Sequence, residues 1–128
     1  MEVIGPAKLV WRVPQGSQIW VAHVVADFTC SAAVGNRFPA LQVWDAGMPM
    51  GGYSLSSSVS QDSMTASQQR SCIWERRGLT QLSVVWGILE TLQLPEVCVR
   101  RDDMVTCELG VADAGDLAQA TVCYRIWD

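Results

Sequence analysis

From Gln18 to Cys30, apolar residues occupy every second position: Trp20, Ala22, Val24, Ala26, Phe28 and Cys30. His23, Asp27 and Thr29 stand on the alternate ones. A period of two with one apolar face is the pattern of a half-buried β-strand. A helix would require apolar recurrence at three and four residues, and β-branched side chains argue against one here. At ~3.3 Å per residue the strand spans about 40 Å, enough to bend across a whole sandwich. On this parity Trp20 is expected in the core.

The rest of the chain repeats the signal in shorter pieces. Lys8 to Val13 reads as a strand, followed by a turn at Pro14-Gln15-Gly16-Ser17. Ser31 to Arg37 is a loop with turn chemistry at Gly35-Asn36. Phe38 to Asp45 is a strand with Leu41 and Val43 on one face and Phe38, Ala40 and Trp44 on the other. Gly47 to Gly52 is a loop. Tyr53 to Val59 alternates with serines, and Gln61 to Gln69 reads as loop or edge strand. Ser71 to Glu75 and Leu79 to Trp86 are strands, and Gly87 to Leu94 is favoured as extended chain over a helical turn. Val97 to Arg100 and Met104 to Leu109 flank Arg101-Asp102-Asp103 as a hairpin. Ala112 to Asp116 is a loop, and Gln119 to Trp127 closes the chain as a strand. Eight to nine short strands with regular turn signals and no helix predict an all-β fold. The expected form is a two-sheet antiparallel sandwich, jelly-roll-like, of about eight strands. No repeat or linker divides residues 1–128, so one domain is expected.

Composition bounds the function. Nine basic and thirteen acidic residues leave a net charge of −4, with no basic stripe of the kind nucleic acid requires. Charged residues are 17% of the chain against about 25% in an ordinary soluble domain. A charge-poor exterior is a prior for docking or oligomerisation. The first six residues lack the basic start and apolar run of a signal peptide, and no stretch approaches ~20 apolar residues. The chain is therefore expected to be made and kept in a cytosol, or to leave it without a Sec signal, and to have no membrane partner. Five cysteines without a C-x-x-C spacing read as buried free thiols.

Catalytic schemes lack their parts. His23 is the sole histidine, so a cupin-type metal centre cannot be assembled. No Gly-x-Ser-x-Gly elbow, P-loop or dinucleotide fingerprint occurs. His23 is read as structural. Most aspartates fall in turns, where their side chains bond the backbone, and Asp113-Ala114-Gly115-Asp116 lacks the dense oxygen ligands of a calcium loop. No enzyme activity, cofactor or metal is expected.

Surface contact is the remaining class. Met48 and Met50, with Tyr53 beside them, form an adaptable apolar loop around Pro49. Arg76, Arg77, Arg100 and Arg101 are cations suited to interfaces, since the planar guanidinium makes bidentate bonds and stacks on rings. These seven residues are the expected contact surface. The competing reading of the arginines is two solvated turns. Six tryptophans would serve a core, sugar-stacking platforms or interface anchors, and the sequence does not separate these uses.

The order of elements resembles a group of small virion proteins of tailed bacteriophages. The resemblance spans roughly residues 9 to 127. It is carried by Pro14-Gln15-Gly16 before a long strand, Ser31 to Arg37 before a further strand, Leu94-Pro95, Ala112 to Leu117, and a closing aromatic strand. It implies a jelly-roll-like, non-enzymatic capsid decoration (cement) protein on the virion exterior. Its partner would be the major capsid protein or another virion protein, and the chain itself a dimer or trimer. A carbohydrate-binding module of a phage fibre and a head–tail connector or tail component share the same features and stay open.

Overall fold

The computed structural model describes residues 1–13, 18–44, 56–76, 83–86, 88–94, 99 and 103–127. Ten strands are present among them: β1 (Glu2–Gly5), β2 (Lys8–Arg12), β3 (Gln18–Thr29), β4 (Phe38–Trp44), β5 (Ser56–Val59), β6 (Gln69–Glu75), β7 (Ser83–Trp86), β8 (Leu89–Gln93), β9 (Met104–Gly110) and β10 (Leu117–Trp127). They form two five-stranded sheets, ordered β1-β2-β9-β4-β5 and β10-β3-β6-β8-β7. The fold is the expected all-β sandwich, with no helix among the described residues.

The details differ in three respects. Ten strands stand among the described residues where about eight were expected: β1 forms in the opening segment, and the extended segment after Gly87 pairs as the full strand β8. β1 is joined to β2 through a left-handed Ala7 at φ 46°. One of the eight strand pairings is parallel, β6 with β8, so the arrangement is not wholly antiparallel. It arises because the chain makes β7 at the sheet edge and then returns as β8 between β7 and β6. The third difference is the hairpin expected around Asp102. β9 pairs on one side with β2 and on the other with β4, and of the expected first arm, residues 97–100, only Val99 lies among the described residues. Val99 instead bridges Ile19 in the second sheet.

The core lies between the sheets. Leu9, Leu41, Val43, Val105, Cys107 and Leu109 face it from the first sheet, and Val24, Ala26, Phe28, Cys72, Trp74 and Leu92 from the second. Burying such side chains contributes about 1.5–3 kcal/mol each for the larger ones. Cys30, Cys72 and Cys107 are buried free thiols, as expected, whereas Cys123 is only half-buried and Cys98 lies outside the described residues; burial is the leading reason the three buried thiols are pushed up from the ordinary range. On the other side of the first sheet, Val10, Trp44 and Met104 form a small second cluster, and Trp44 Nε1 donates to Thr106 Oγ1 at 2.9 Å.

The long strand β3 carries a correction. Its partner β10 matches His23 with Cys123 but Val21 with Tyr124, so Ala22 is an extra residue. This β-bulge exchanges the two faces of everything before it. After the bulge Val24, Ala26 and Phe28 point inward, as their period predicts. Before it Ile19 and Val21 point inward, and Trp20 turns out, 38% exposed, where the regular period places it in the core.

Strand directions collect five connections at one end of the sandwich: those around residues 5–8, 29–38, 59–69, 86–89 and 110–117.

Candidate functional site

The centre of that end is a buried ion pair. Arg37, at the entry to β4, and Asp116, just before β10, have side chains 2% and 0% exposed. Arg37 Nε donates to Asp116 Oδ2 at 3.0 Å and Nη2 to Oδ1 at 3.3 Å. The same carboxylate accepts from the backbone N–H of Ser31 at 2.8 Å and of Asp113 at 2.9 Å. Arg37 also donates to the Gly35 carbonyl at 2.9 Å and to Ser31 Oγ at 3.2 Å. Every donor and acceptor thus lies within the 31–37 and 113–116 loops, which are closed onto each other.

A second layer completes the brace. Ser31 Oγ donates to Asp113 Oδ2 at 2.8 Å, and Gly115 N–H donates to the same oxygen at 3.0 Å. The loops approach so closely that a Cβ at Gly115 would lie 3.0 Å from Ser31 Cβ. The 60–68 connection is tied in by Met64 and Arg37, which exchange backbone bonds of 2.7 and 2.8 Å, and by Ser67 N–H to Ser31 O at 2.8 Å. Leu109 N–H to Ala7 O at 3.0 Å fastens the first turn.

Electrostatics follow this geometry. Burial alone would push the Asp116 carboxyl up, but the amides of Ser31 and Asp113 and the Arg37 guanidinium outweigh it and hold it below its usual range. Asp113 is also held low, first by the Gly115 amide and then by the Ser31 hydroxyl. Both Asp116 oxygens and Asp113 Oδ2 accept from N–H or O–H donors, so these three oxygens serve a cross-brace and are not open to a cation. Nor is Ser31 set up as a nucleophile. Its hydroxyl is engaged with Asp113, Arg37 and the Ala33 amide, and His23 lies six positions before the end of β3, about 20 Å away.

What the brace presents outward is apolar. Val34 is 98%, Val111 81% and Leu117 66% exposed, with Ile88 and Val59 exposed on neighbouring connections. Val111 is held at φ 63°. A β-branched residue in the left-handed region is a strained conformation, retained only where the surroundings impose it. Two cationic groups near this end are turned inward, Arg37 onto Asp116 and Arg70 onto Glu90 at 3.0 Å, while Lys8 remains partly exposed and pairs with Glu108 at 3.6 Å.

Of the contact residues expected from the sequence, Arg76 alone is among the described residues. Met48, Met50, Tyr53, Arg77, Arg100 and Arg101 fall outside the described residues. Arg76 follows β6 at the opposite end, and its guanidinium lies 3.7 Å over the Trp20 ring of its own chain. The tryptophans divide similarly. Trp74 and Trp44 are buried, Trp11 leans on Tyr124 with ring centroids 4.9 Å apart, and Trp20 is capped by Arg76. The side chains of Trp86 and Trp127 are outside the described residues. In the core, a space of about 10 Å³ bordered by Val24, Leu41, Val43, Val99 and Val105 has room for one water molecule only.

Sequence reasoning read Asp113 and Asp116 as turn residues, which they are, but missed the Arg37–Asp116 pair. The partners are separated by 79 residues, and no local spacing signals their meeting. The exposed Val34 and Val111, apolar residues inside turn sequences, were the available sign. Comparison with protein-family models, curated proteins and solved structures finds no match for this chain.

Proposed function

We propose that this protein is a non-enzymatic adhesive module that docks end-on against another protein through the braced loop end. The reading rests on one observation: a buried ion pair rigidifies two loops whose exposed tips are Val34, Val111 and Leu117. Apolar side chains on pre-ordered loops lose little conformational freedom on binding, so more of their burial appears as affinity.

Within that class we propose a virion structural protein, a capsid decoration protein bound to the major capsid protein on the particle exterior and acting as a dimer or trimer. Support for this finer reading is the likeness in element order to small phage virion proteins and the low charge content. It needs no reactive group, and repetition over a shell turns a modest contact into firm attachment through avidity.

Quantitative mass spectrometry of purified particles tests the assignment. Copies on the order of hundreds per particle are expected for a shell component, where avidity operates. About a dozen copies would indicate a symmetric connector ring, and absence from particles would end the virion reading. The docking surface is tested separately by Val34→Asp with Leu117→Asp, which should abolish co-sedimentation with shells while the chain stays folded.

A further inference from the structure

A second buried carboxylate stands at the same end of the sandwich but outside the brace. Glu90 in β8 is 0% exposed and faces the interior beside Cys72 of β6. One oxygen, Oε2, accepts from Ser60 Oγ at 2.7 Å and from Arg70 Nη1 at 3.0 Å. The other, Oε1, is buried with no hydrogen-bond partner. Ser60 directly follows the first sheet's edge strand β5, and Arg70 also donates to the carbonyls of Asp62 at 2.7 Å and Ser63 at 3.3 Å. The 60–63 connection, which carries the chain from one sheet to the other, is therefore fastened to β8 through a single carboxyl group.

An ionised carboxylate with one buried oxygen that no protein group bonds is poorly solvated in the closed structure and fully solvated once the connection lifts. Arg70 keeps its two carbonyl acceptors whether or not Glu90 is charged. We propose that Glu90 is an acid-locked latch: the 60–63 connection is held most firmly when this carboxyl carries its proton, and opens more readily as it ionises. The charged and titratable groups around it are few. Arg70 and Cys72 face it from β6 and Asp62 from the connection, while β5 and β7 contain no titratable residue. Burial is the largest influence on the carboxyl and raises it, against the lowering effects of Ser60 and Arg70; Asp62 adds to the rise.

The sign follows from linkage. Closed, the carboxyl sits above 4.5; opened to water, it returns to about that value. The opening equilibrium must then grow with pH between these two limits, by up to about tenfold per pH unit, and be flat outside them. Amide hydrogen exchange at Ser60, whose N–H bonds Pro39 O at 2.8 Å, reads this opening after correction for intrinsic rates. Protection should fall as pH rises through that interval in the native chain and stay level in Glu90→Gln. Protection independent of pH in the native chain, or the same slope in Glu90→Gln, overturns the latch. Should Glu90→Gln fail to fold, a carbon-detected NMR titration of the native Glu90 carboxyl decides: a midpoint above 4.5 supports the latch, and one at or below it refutes it.

Discussion

Arg37 Nε meets Asp116 Oδ2 at 3.0 Å across 79 residues of sequence, and both side chains are sealed from water. Removing one member of such a pair leaves an uncompensated buried charge, at a cost of about 3–5 kcal/mol. The two partners are not equivalent, because Asp116 also satisfies the amides of Ser31 and Asp113. Asp116→Ala should therefore destabilise by about that amount, and Arg37→Met by less, since the carboxylate keeps two donors. Equilibrium urea denaturation of both variants ranks them.

Acid should dissolve this brace. Asp116 is depressed in the folded chain, so its contribution is fully present above the unfolded value of 3.8 and is lost as pH falls through the lower folded value. The stability difference between native chain and Asp116→Asn should shrink below about pH 3.8. Denaturation midpoints recorded from neutrality into acid check this.

The bulge at Ala22 admits a direct test. Deleting Ala22 removes the extra residue, so β3 runs regularly against β10 with Ile19 and Val21 still inward and Trp20 still outward. Thermal or urea unfolding of the deletion variant should therefore stay within about 1–2 kcal/mol of the native chain, where turning both aliphatic side chains outward would cost about 3–6 kcal/mol.

Val111 separates stability from docking. Relieving a β-branched residue at φ 63° with Val111→Gly should stabilise the fold by about 0.5–1 kcal/mol, the left-handed penalty exceeding the entropic cost of glycine. The same change removes an 81% exposed side chain from the proposed docking end and should weaken shell binding. A rise in urea midpoint alongside reduced co-sedimentation is the expected pair of results.

Arg76 lies on Trp20 of its own chain at 3.7 Å. An exposed cation–π contact is worth about 0.5–1 kcal/mol, so Arg76→Ala should cost stability of that size and leave shell binding unchanged. Urea denaturation and co-sedimentation measure the two effects.

The sandwich itself was readable because its strands obey a short-range rule: inward residues of β4, β6 and the second half of β3 recur at two. The exceptions have a common physical origin. An inserted residue such as Ala22 changes no composition, yet it inverts every side chain before it, so Trp20 was placed on the wrong side. The hairpin near Asp102 was suggested by local turn chemistry and overruled by β2 and β4, which occupy both edges of β9. The Arg37–Asp116 brace was invisible for the same reason, since pairing between distant loops is decided by topology. The Glu90 site was equally hidden, because a lone glutamate at an inward position of β8 looks like a surface residue until its neighbours are known.

The register of the sheets also governs when the molecule can form. β3 has its full length matched by β10, from Thr29 opposite Leu117 to Gln18 opposite Trp127, and β2 is matched by β9. Partners of the earliest long strands therefore lie far downstream of them, and closing such wide loops is entropically costly before any contact rewards it. Until β9 and β10 have left the ribosome the first half of the chain is an unclosed half-structure with its greasy inner faces uncovered, and truncation of β10 by even a few residues would be felt by that half.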